Sequence, residues 1–176
     1  VTILPAKKGT WRWTDDRSMR FVPATDWPAG VKYSVKFDSS IFVKEALLSE
    51  DTYTLTAPKM TVSFSNTKFY QDPQDMSVRR VITTLNFSHP VDKSSLEKHL
   101  KLSMRPSGKN ISVPPKPYTF SVTYDKQHRE AYIQSEPVSL PDKPNYMTVT
   151  LPQGVKTVLG GKKIAKDSDT KVFIPD

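Results

Sequence analysis

The three histidines are the side chains of this 176-residue chain best suited to acid–base or metal chemistry. His89 precedes a proline in a predicted turn, His99 ends a short helical segment, and His128 lies at a predicted hairpin tip. No two of them have a metal-ligand spacing such as i, i+4, and the sequence has no cysteine that could complete a site. We therefore predict surface histidines, with no metal and no cofactor.

Nucleophilic catalysis requires a serine, threonine or cysteine held against a histidine that a carboxylate orients. The Gly-x-Ser-x-Gly sequence of a nucleophile elbow is absent. Ser88 and His89 are adjacent, but neighbours on a strand point to opposite faces, so adjacency alone does not make a nucleophile–base pair. We predict no catalytic residue. The alternative, a small hydrolase, would require His89 or His128 close to a serine and an acid.

Two carboxylate pairs are the remaining candidates for acid–base work or calcium binding: Asp15 with Asp16, and Asp167 with Asp169. Acid–base work requires environments that separate two pKa values, normally by burying one group. Both pairs lie in polar, turn-forming sequence beside a basic residue, and no EF-hand pattern surrounds either of them. We predict turn and cap roles for these carboxylates.

The three tryptophans, Trp11, Trp13 and Trp27, have two interpretations. They could form a sugar-stacking platform, as aromatic rows do in some β-sandwich binding modules. Alternatively, Trp11 and Trp13 face the core from a hairpin while Trp27 plugs the end of a sandwich. The shared strand alternation with Phe21 and Tyr33 favours the second interpretation. A carbohydrate- or adhesion-type binding module is therefore kept as the alternative function.

The composition favours an all-β protein whose charges are spread over its surface. It does not favour a protein that binds nucleotides or nucleic acids. Lys and Arg number 26 against 18 Asp and Glu, a formal charge of +8, but the basic residues never run longer than pairs. Six glycines and 15 prolines favour short strands with stiff connections over a phosphate-binding loop fold. No stretch approaches the roughly 18 apolar residues of a membrane span. The start at Val1 suggests a mature chain or a piece of a longer protein.

Alternation of apolar and polar residues dominates the sequence and predicts antiparallel strands. A hairpin is predicted where Trp11 and Trp13 alternate with polar residues and the chain returns through Met19 and Phe21. The clearest alternation has four inward positions, which are Tyr118, Phe120, Val122 and Tyr124. Other predicted inward positions are Tyr33, Val35, Phe37, Val81, Leu85, Phe87, Ala131, Ile133, Met147, Val149 and Leu151.

Helical signals are confined to short segments. Ser94 and Glu97 have capping-box spacing, which predicts a single short helical turn, and residues 42–48 fit either a helical turn or an irregular crossover. No amphipathic pattern reaches the roughly 10–12 residues of a helical core element. The predicted fold class is all-β, with tandem immunoglobulin-like antiparallel β-sandwich domains.

A strand followed by Pro58 predicts a domain boundary, with one β domain over residues 1–57 and a β-sandwich over residues 58–176. A complete sandwich of this type takes about 100 residues. The second stretch is long enough and the first is not. We therefore predict that the first domain is incomplete and that its opening strands lie upstream.

Two segments of the sequence resemble a known family. GTWRWTDDRSMRFVP (residues 9–23), continuing through DWPAGVKYSV (residues 26–35), resembles a segment near the N-terminal end of bacterial alpha-2-macroglobulins. LNFSHPVD (residues 85–92) is similar to a strand and turn of bacterial immunoglobulin-like and macroglobulin-like domains. By direct pattern these segments cover about a third of the chain.

The resemblance implies non-enzymatic macroglobulin-like scaffold domains of a large bacterial peptidase inhibitor in the periplasm or cell envelope. In that family, cleavage of a bait segment traps the attacking peptidase, and some members add a Cys–Gln thioester. This chain has no cysteine and hence no thioester, and residues 101–117 are interpreted as a long hairpin connection rather than a bait. The implied partners are neighbouring macroglobulin-like domains and, through the whole protein, target peptidases.

Overall fold

A computed structural model describes residues 1–44, 49–106 and 114–176 of the chain. Parts of two segments discussed above, 42–48 and 101–117, lie outside the described residues. The chain divides into two compact units. Unit 1 comprises Val1–Lys59 and Leu159–Lys162, and unit 2 comprises Met60–Val158 and Lys163–Asp176.

Unit 1 is built from short antiparallel strands. Its strands within the described residues are β1 (Thr2–Leu4), β2 (Gly9–Trp13), β3 (Met19–Pro23), β4 (Lys32–Lys36) and β5 (Thr52–Thr56). β4 pairs with both β1 and β5, and β2 pairs with β3 as the predicted hairpin. Its core includes Tyr33 and Val35, which alternate with the polar residues of β4 as the sequence predicts. A 3-10 turn at Ser39–Ile41 follows β4.

Unit 2 contains one short helix and eight strands within the described residues. These elements are β6 (Val62–Gln71), β7 (Arg79–Phe87), α1 (Lys93–His99), β8 (Lys101–Pro106), β9 (Lys116–Tyr118), β10 (Phe120–Tyr124), β11 (Glu130–Ser135), β12 (Asn145–Leu151) and β13 (Ser168–Ile174). One sheet has the order β10-β11-β7-β6 and the other β13-β12-β8-β9, and all neighbouring strands are antiparallel.

The core of unit 2 is formed by the inward residues of both sheets. Leu85 on β7, Met147 and Leu151 on β12, and Ile174 on β13 are fully buried. Burying one such side chain contributes about 1.5–3 kcal/mol. The predicted inward positions of β7, β11 and β12 are all buried, which confirms these faces, and on β7 the intervening Thr84 is buried as well.

Two local predictions in unit 2 are wrong in detail. The alternating run from Tyr118 to Tyr124 is not one strand, because β9 ends at Tyr118 in one sheet and β10 begins at Phe120 in the other. The short helix exists, but its N-cap is Asp92 rather than Ser94. The Asp92 carboxylate accepts a hydrogen bond from the Ser95 N–H at 2.7 Å. Aspartate and serine are both good N-caps, so sequence alone did not separate the two positions.

The predicted fold class is confirmed. The chain is all-β, and its antiparallel sheets are consistent with immunoglobulin-like sandwich domains. Across the described residues, no helix combines the length and the apolar character that a membrane crossing requires.

Candidate functional site

The histidines occupy three structural positions in unit 2. His89 is only 8% exposed, so the predicted surface position is wrong for it. It follows the end of β7, where the chain bends so that Ser88 is exposed and His89 is buried. The His99 Nδ1 lies 2.7 Å from the Ser95 carbonyl oxygen, and the His128 ring packs against Tyr124 at a centroid distance of 5.9 Å. In the described ranges, no group of three His, Asp or Glu side chains could hold a metal ion.

Ser88 and His89 are in contact, against the expectation that adjacent residues point apart. The Ser88 Oγ lies 2.9 Å from the His89 Nδ1 and accepts a hydrogen bond from the Thr61 N–H at 2.8 Å. Strand geometry does not apply here, because β7 ends at Phe87 and the chain bends over the next two residues. The Ser88 hydroxyl thus links Thr61, the residue before β6, to the residues that follow β7.

One carboxylate of each pair accepts a hydrogen bond from a backbone N–H, whereas Asp169 lies on strand β13 and not in the predicted turn. The Asp15 Oδ1 accepts a hydrogen bond from the Arg17 N–H at 2.8 Å, and this bond is the largest cause of the lowered pKa of Asp15. The Asp167 Oδ1 accepts one from the Gln153 N–H, also at 2.8 Å. Asp15 and Asp167 therefore have the turn roles that the sequence predicts.

An aromatic row crosses the interior of unit 1. Tyr33 contacts Trp27 at a centroid distance of 4.8 Å, and Trp27 contacts Phe21 at 5.7 Å. Phe21 contacts Trp11 at 4.9 Å, and Trp11 reaches Phe37 at 6.0 Å. The planes of successive rings meet at 47° to 70°. This tilted geometry suits aromatic packing. Trp11 and Trp27 thus act as packing residues of unit 1.

The row ends in an open cleft, here called the aromatic cleft, of about 390 Å³. Trp13 on its wall is 49% exposed, so the prediction that this ring faces the core is wrong. Its nearest aromatic neighbour is Phe42, edge to face at 6.2 Å. The lining residues are Trp11, Trp13, Arg17, Met19, Val35, Phe37, Phe42, Tyr53 and Leu55.

The aromatic cleft is chemically simple. Its walls are apolar, apart from the Arg17 guanidinium and the Tyr53 hydroxyl. Tyr53 meets Phe37 edge to face at 77°, as Trp13 meets Phe42 at 87°. The walls therefore offer mainly aromatic and aliphatic surface with few polar groups.

The cleft was missed at the sequence level because its members come from distant segments. Tyr53 and Leu55 lie on β5, while Trp13 and Met19 lie on the hairpin of β2 and β3. Each strand alone shows only its alternation. A signal was present in the excess of aromatic residues in the first third of the chain, which holds all three tryptophans.

A second polar contact in unit 2 links β10 with α1. The Tyr124 hydroxyl donates to the Glu97 Oε1 at 2.9 Å, and the Lys93 Nζ lies 5.0 Å from the centre of the tyrosine ring. Burial, together with the hydrogen bond and charge of Glu97, raises the pKa of Tyr124 well above the ordinary value of 10.0. The folded protein therefore favours the neutral, protonated form of the Tyr124 phenol.

We expect stability to fall above about pH 10 because of Tyr124. The folded chain holds this proton more tightly than the unfolded chain, so the contribution is complete below pH 10 and declines as the pH rises further. Tyrosinate absorbance should show a late-ionising component whose amplitude Tyr124→Phe reduces and whose midpoint Glu97→Gln shifts to lower pH, while Tyr33 and Tyr132, whose pKa values are also raised, remain in it. A late component that is unchanged in Tyr124→Phe would contradict the assignment.

No family model matches the chain. Individual proteins that are similar to it carry the name alpha-2-macroglobulin or alpha-2-macroglobulin homolog. The chain is 31% identical over 180 aligned residues to an alpha-2-macroglobulin of Pasteurella multocida strain Pm70, covering 99% of this chain and 9% of that protein. An alpha-2-macroglobulin homolog of Yersinia pestis is 28% identical over 177 residues, covering 100% of this chain and 9% of that protein.

An alpha-2-macroglobulin of Rickettsia conorii strain ATCC VR-613 / Malish 7 is 25% identical over 175 residues, which is 97% of this chain. The chain spans 9% of the length of each of these three relatives. The resemblance carried by the tryptophan-rich segment is thus confirmed: over nearly its whole length, this chain is homologous to a segment of bacterial alpha-2-macroglobulins.

Proposed function

We propose that this chain provides non-enzymatic scaffold domains of a bacterial alpha-2-macroglobulin-like peptidase inhibitor of the cell envelope. The observation that carries the proposal is the similarity of nearly the whole chain to a 9% portion of proteins named alpha-2-macroglobulin. In a protein of several domains, such a segment can act through its interfaces with neighbouring domains.

The use of polar groups within the fold supports a scaffold role. Ser88, His89 and His99 are engaged in contacts that join strand ends, turns and the short helix. The carboxylates of Asp15 and Asp167 hold turns. A general base or nucleophile must be able to contact a substrate, whereas these side chains bond backbone groups or, in the case of Ser88 and His89, each other as well.

Exposed apolar side chains on the outer sheet faces support contacts with neighbouring domains. Tyr146 on β12 and Phe173 on β13 lie opposite each other, with ring centroids 5.6 Å apart, and both are exposed. Such pairs are typical of the modest interfaces between domains of one chain. We propose neighbouring macroglobulin-like domains as partners here, and target peptidases as partners of the whole protein.

One observation favours the alternative, a carbohydrate- or adhesion-type binding module. The Trp13 ring is half exposed at the mouth of the aromatic cleft, where a ligand could reach it. The scarcity of polar side chains in the lining weighs against this alternative, because a binding site needs a few polar groups to orient a ligand. Substitution of this tryptophan separates the two functions, because a sugar-binding cleft would need its ring and a scaffold would not.

The scaffold proposal is tested with the longer polypeptide that contains this segment. The protein is incubated with a broad-specificity peptidase, and residual activity is measured on a large protein substrate and on a small chromogenic peptide. Caging predicts that the large substrate is protected while the small peptide is still cleaved. The 176-residue segment alone is the matched control, and we expect it to protect neither substrate.

Two results would contradict the proposal. Full-rate cleavage of both substrates in the presence of the longer polypeptide would exclude caging under those conditions. Inhibition of both substrates by the 176-residue segment alone would indicate a direct active-site inhibitor, because such an inhibitor blocks small and large substrates equally.

A further inference from the structure

We propose that unit 2 carries a binding site for a phosphoryl group beside its short helix. The site is an open pocket of about 470 Å³, here called the lysine pocket. It is defined by Lys98 and His99 of α1, by Gly154 and Lys156 after β12, and by Lys163 before β13. All five residues belong to unit 2. The proposal does not depend on peptidase inhibition.

Three ammonium groups surround the lysine pocket without a partner in the protein. Lys98, Lys156 and Lys163 are exposed, and within the described part of the chain none of them makes a hydrogen bond or an ion pair. The lining also includes the carboxylate of Asp92, which accepts a hydrogen bond from the Ser95 N–H at 2.7 Å as the N-cap of α1. The pocket therefore keeps a net positive charge, which attracts an anion.

The helical period explains why α1 presents polar groups to the lysine pocket. Ser94 and Lys98 are four residues apart, as are Ser95 and His99, and residues at this spacing share a face of a helix. All four line the pocket. Leu96, two residues from both Ser94 and Lys98, lies on the opposite side of the helix and is fully buried. The core contact of this leucine thus fixes the direction in which Lys98 points.

Buried neighbours fix the other two lysines in the same way. Lys156 follows Val155, which is fully buried, and Lys163 precedes Ile164, which is 6% exposed. The two segments are joined by backbone hydrogen bonds. The Ile164 N–H donates to the Val155 carbonyl at 2.9 Å, and the Gly154 N–H donates to the Ile164 carbonyl at 2.8 Å. Lys156 and Lys163 therefore extend from two segments that are held together.

Hydrogen bonds also attach α1 to this pair of segments. The Lys156 N–H donates to the Ser95 Oγ at 3.0 Å, and the Asp92 N–H donates to the Lys156 carbonyl at 3.0 Å. The backbone positions of all three lysines are thus set by the fold before any ligand arrives. Only the lysine side chains have to be ordered on binding, which lowers the entropic cost of forming the complex.

His99 adds a ring nitrogen to the lysine pocket. Its Nδ1–H donates to the Ser95 carbonyl oxygen at 2.7 Å, because a carbonyl can only accept. The other ring nitrogen, Nε2, lies beside Gly154, where an added Cβ would come within 3.0 Å of it. The glycine therefore leaves space next to Nε2. The imidazolium form of His99 can donate from this nitrogen to a bound anion.

The types of cation favour a phosphoryl group over a carboxylate. None of the described lining residues is an arginine, whose planar guanidinium binds a carboxylate through two parallel hydrogen bonds. A lysine acts as a point charge, and its attraction grows with the charge of the anion. A phosphomonoester carries about −1.5 to −2 charges and three acceptor oxygens near neutral pH. Three lysines from three segments fit such a group better than a planar anion of single charge.

Titration of the 176-residue chain with inorganic phosphate tests the proposal. At about pH 8 the phosphate is mainly a dianion. Nuclear magnetic resonance should show saturable shifts of the Gly154 and Lys156 amides. Acetate at matched ionic strength should bind at least about threefold more weakly, because its single charge is attracted less strongly by the three lysines.

A triple variant removes the charges of the lysine pocket. It combines Lys98→Gln, Lys156→Gln and Lys163→Gln, and we expect it to weaken phosphate binding at least about tenfold. The three side chains are exposed, so the variant should fold, and circular dichroism checks this. Lys156→Gln alone should weaken binding about threefold and provides the same test if the triple variant does not fold.

A second triple variant is the matched control for net charge, because the whole chain carries a formal charge of +8. It combines Lys126→Gln, Lys143→Gln and Lys171→Gln, which are exposed positions of unit 2 outside the lysine pocket. We expect it to change the affinity for phosphate by less than about twofold, since charges at a distance are screened by salt.

Vesicles distinguish two sources of the phosphoryl group. Phosphatidic acid presents a terminal phosphomonoester, whereas phosphatidylglycerol presents a phosphodiester. Sedimentation with phosphatidic acid vesicles at about 0.15 M salt, stronger than with phosphatidylglycerol vesicles and lost in the pocket variant, would support a lipid headgroup as the ligand. Binding of inorganic phosphate without sedimentation on either vesicle would support a soluble phosphorylated ligand.

Three outcomes would overturn the proposal. Absence of saturable shifts at the Gly154 and Lys156 amides would show that phosphate is not bound in the lysine pocket. Equal affinities for phosphate and acetate would show that the pocket does not select a phosphoryl group. Equal weakening in the pocket variant and the control variant would assign the binding to net charge. None of these measurements involves a peptidase, so their failure is distinguishable from failure of the caging assay.

Discussion

Gly161→Ala is expected to lower the free energy of unfolding of unit 1 by about 3 kcal/mol. Gly161 has a φ of +90°, and it forms a bridge with Ala29. A Cβ at this position would lie 2.7 Å from the backbone nitrogen of Ala29 and closer still to its carbonyl oxygen. Both contacts are with backbone, which cannot rotate away as a flexible side chain would.

The neighbouring Gly160 offers a matched control. Its φ of +76° gives alanine a similar conformational strain, but no atom lies within 4 Å of the added Cβ. We therefore expect Gly160→Ala to cost about 1 kcal/mol, the strain alone. The difference between the two variants measures the close approach to Ala29 and is independent of the general preference for glycine in this turn.

Tryptophan fluorescence provides the measurement, because all three tryptophans of the chain lie in unit 1. Denaturant unfolding followed by this signal reports unit 1, and circular dichroism reports the whole chain. A larger loss in Gly161→Ala than in Gly160→Ala is the expected result. Equal losses would show that the segment 159–162 adapts to the Cβ, and the close approach would then not be a constraint on the fold.

The strands of this fold could be predicted from the sequence wherever one face is apolar and the other polar. Met147, Val149 and Leu151 alternate with Tyr146, Thr148 and Thr150, and the burial of β12 follows the same period. The signal is local to each strand, since the side-chain period of two is a property of the extended backbone. This is why the fold class was correct before any pairing was known.

Features that depend on where a strand stops were not predictable in the same way. Thr119 separates two strands of different sheets although the alternation runs through it without a break. The bend after Phe87 brings Ser88 against His89, which a continuous strand would separate. In both cases the pairing with distant strands decides where the extended conformation ends. The local alternation of apolar and polar residues does not reveal such pairing.

The candidate site shows the same limit. The spacing of Trp11 and Trp13 predicts that both rings face the core. Trp11 is packed between Phe21 and Phe37, whereas Trp13 is half exposed. The difference comes from the side chains that other segments place against each ring, which strand alternation does not reveal. The sequence predicted a shared face for the two rings, and the structure shows that this face is only partly covered.

Trp11→Ala is expected to destabilise unit 1 by about 3 kcal/mol, at the lower end of the range for removing a packed tryptophan. Its ring joins the β2–β3 hairpin to the sheet of β4 through contacts with Phe21 at 4.9 Å and Phe37 at 6.0 Å. Trp13 has one such aromatic neighbour, Phe42, at 6.2 Å. We therefore expect Trp13→Ala to cost at most about 1 kcal/mol in the 176-residue chain.

The pair of variants also decides between scaffold and binding module. Fluorescence of the unsubstituted chain is titrated with oligosaccharides, and the same titration is repeated with Trp13→Ala. A scaffold predicts no emission shift in either protein, while a sugar-binding cleft predicts a saturable shift that Trp13→Ala abolishes.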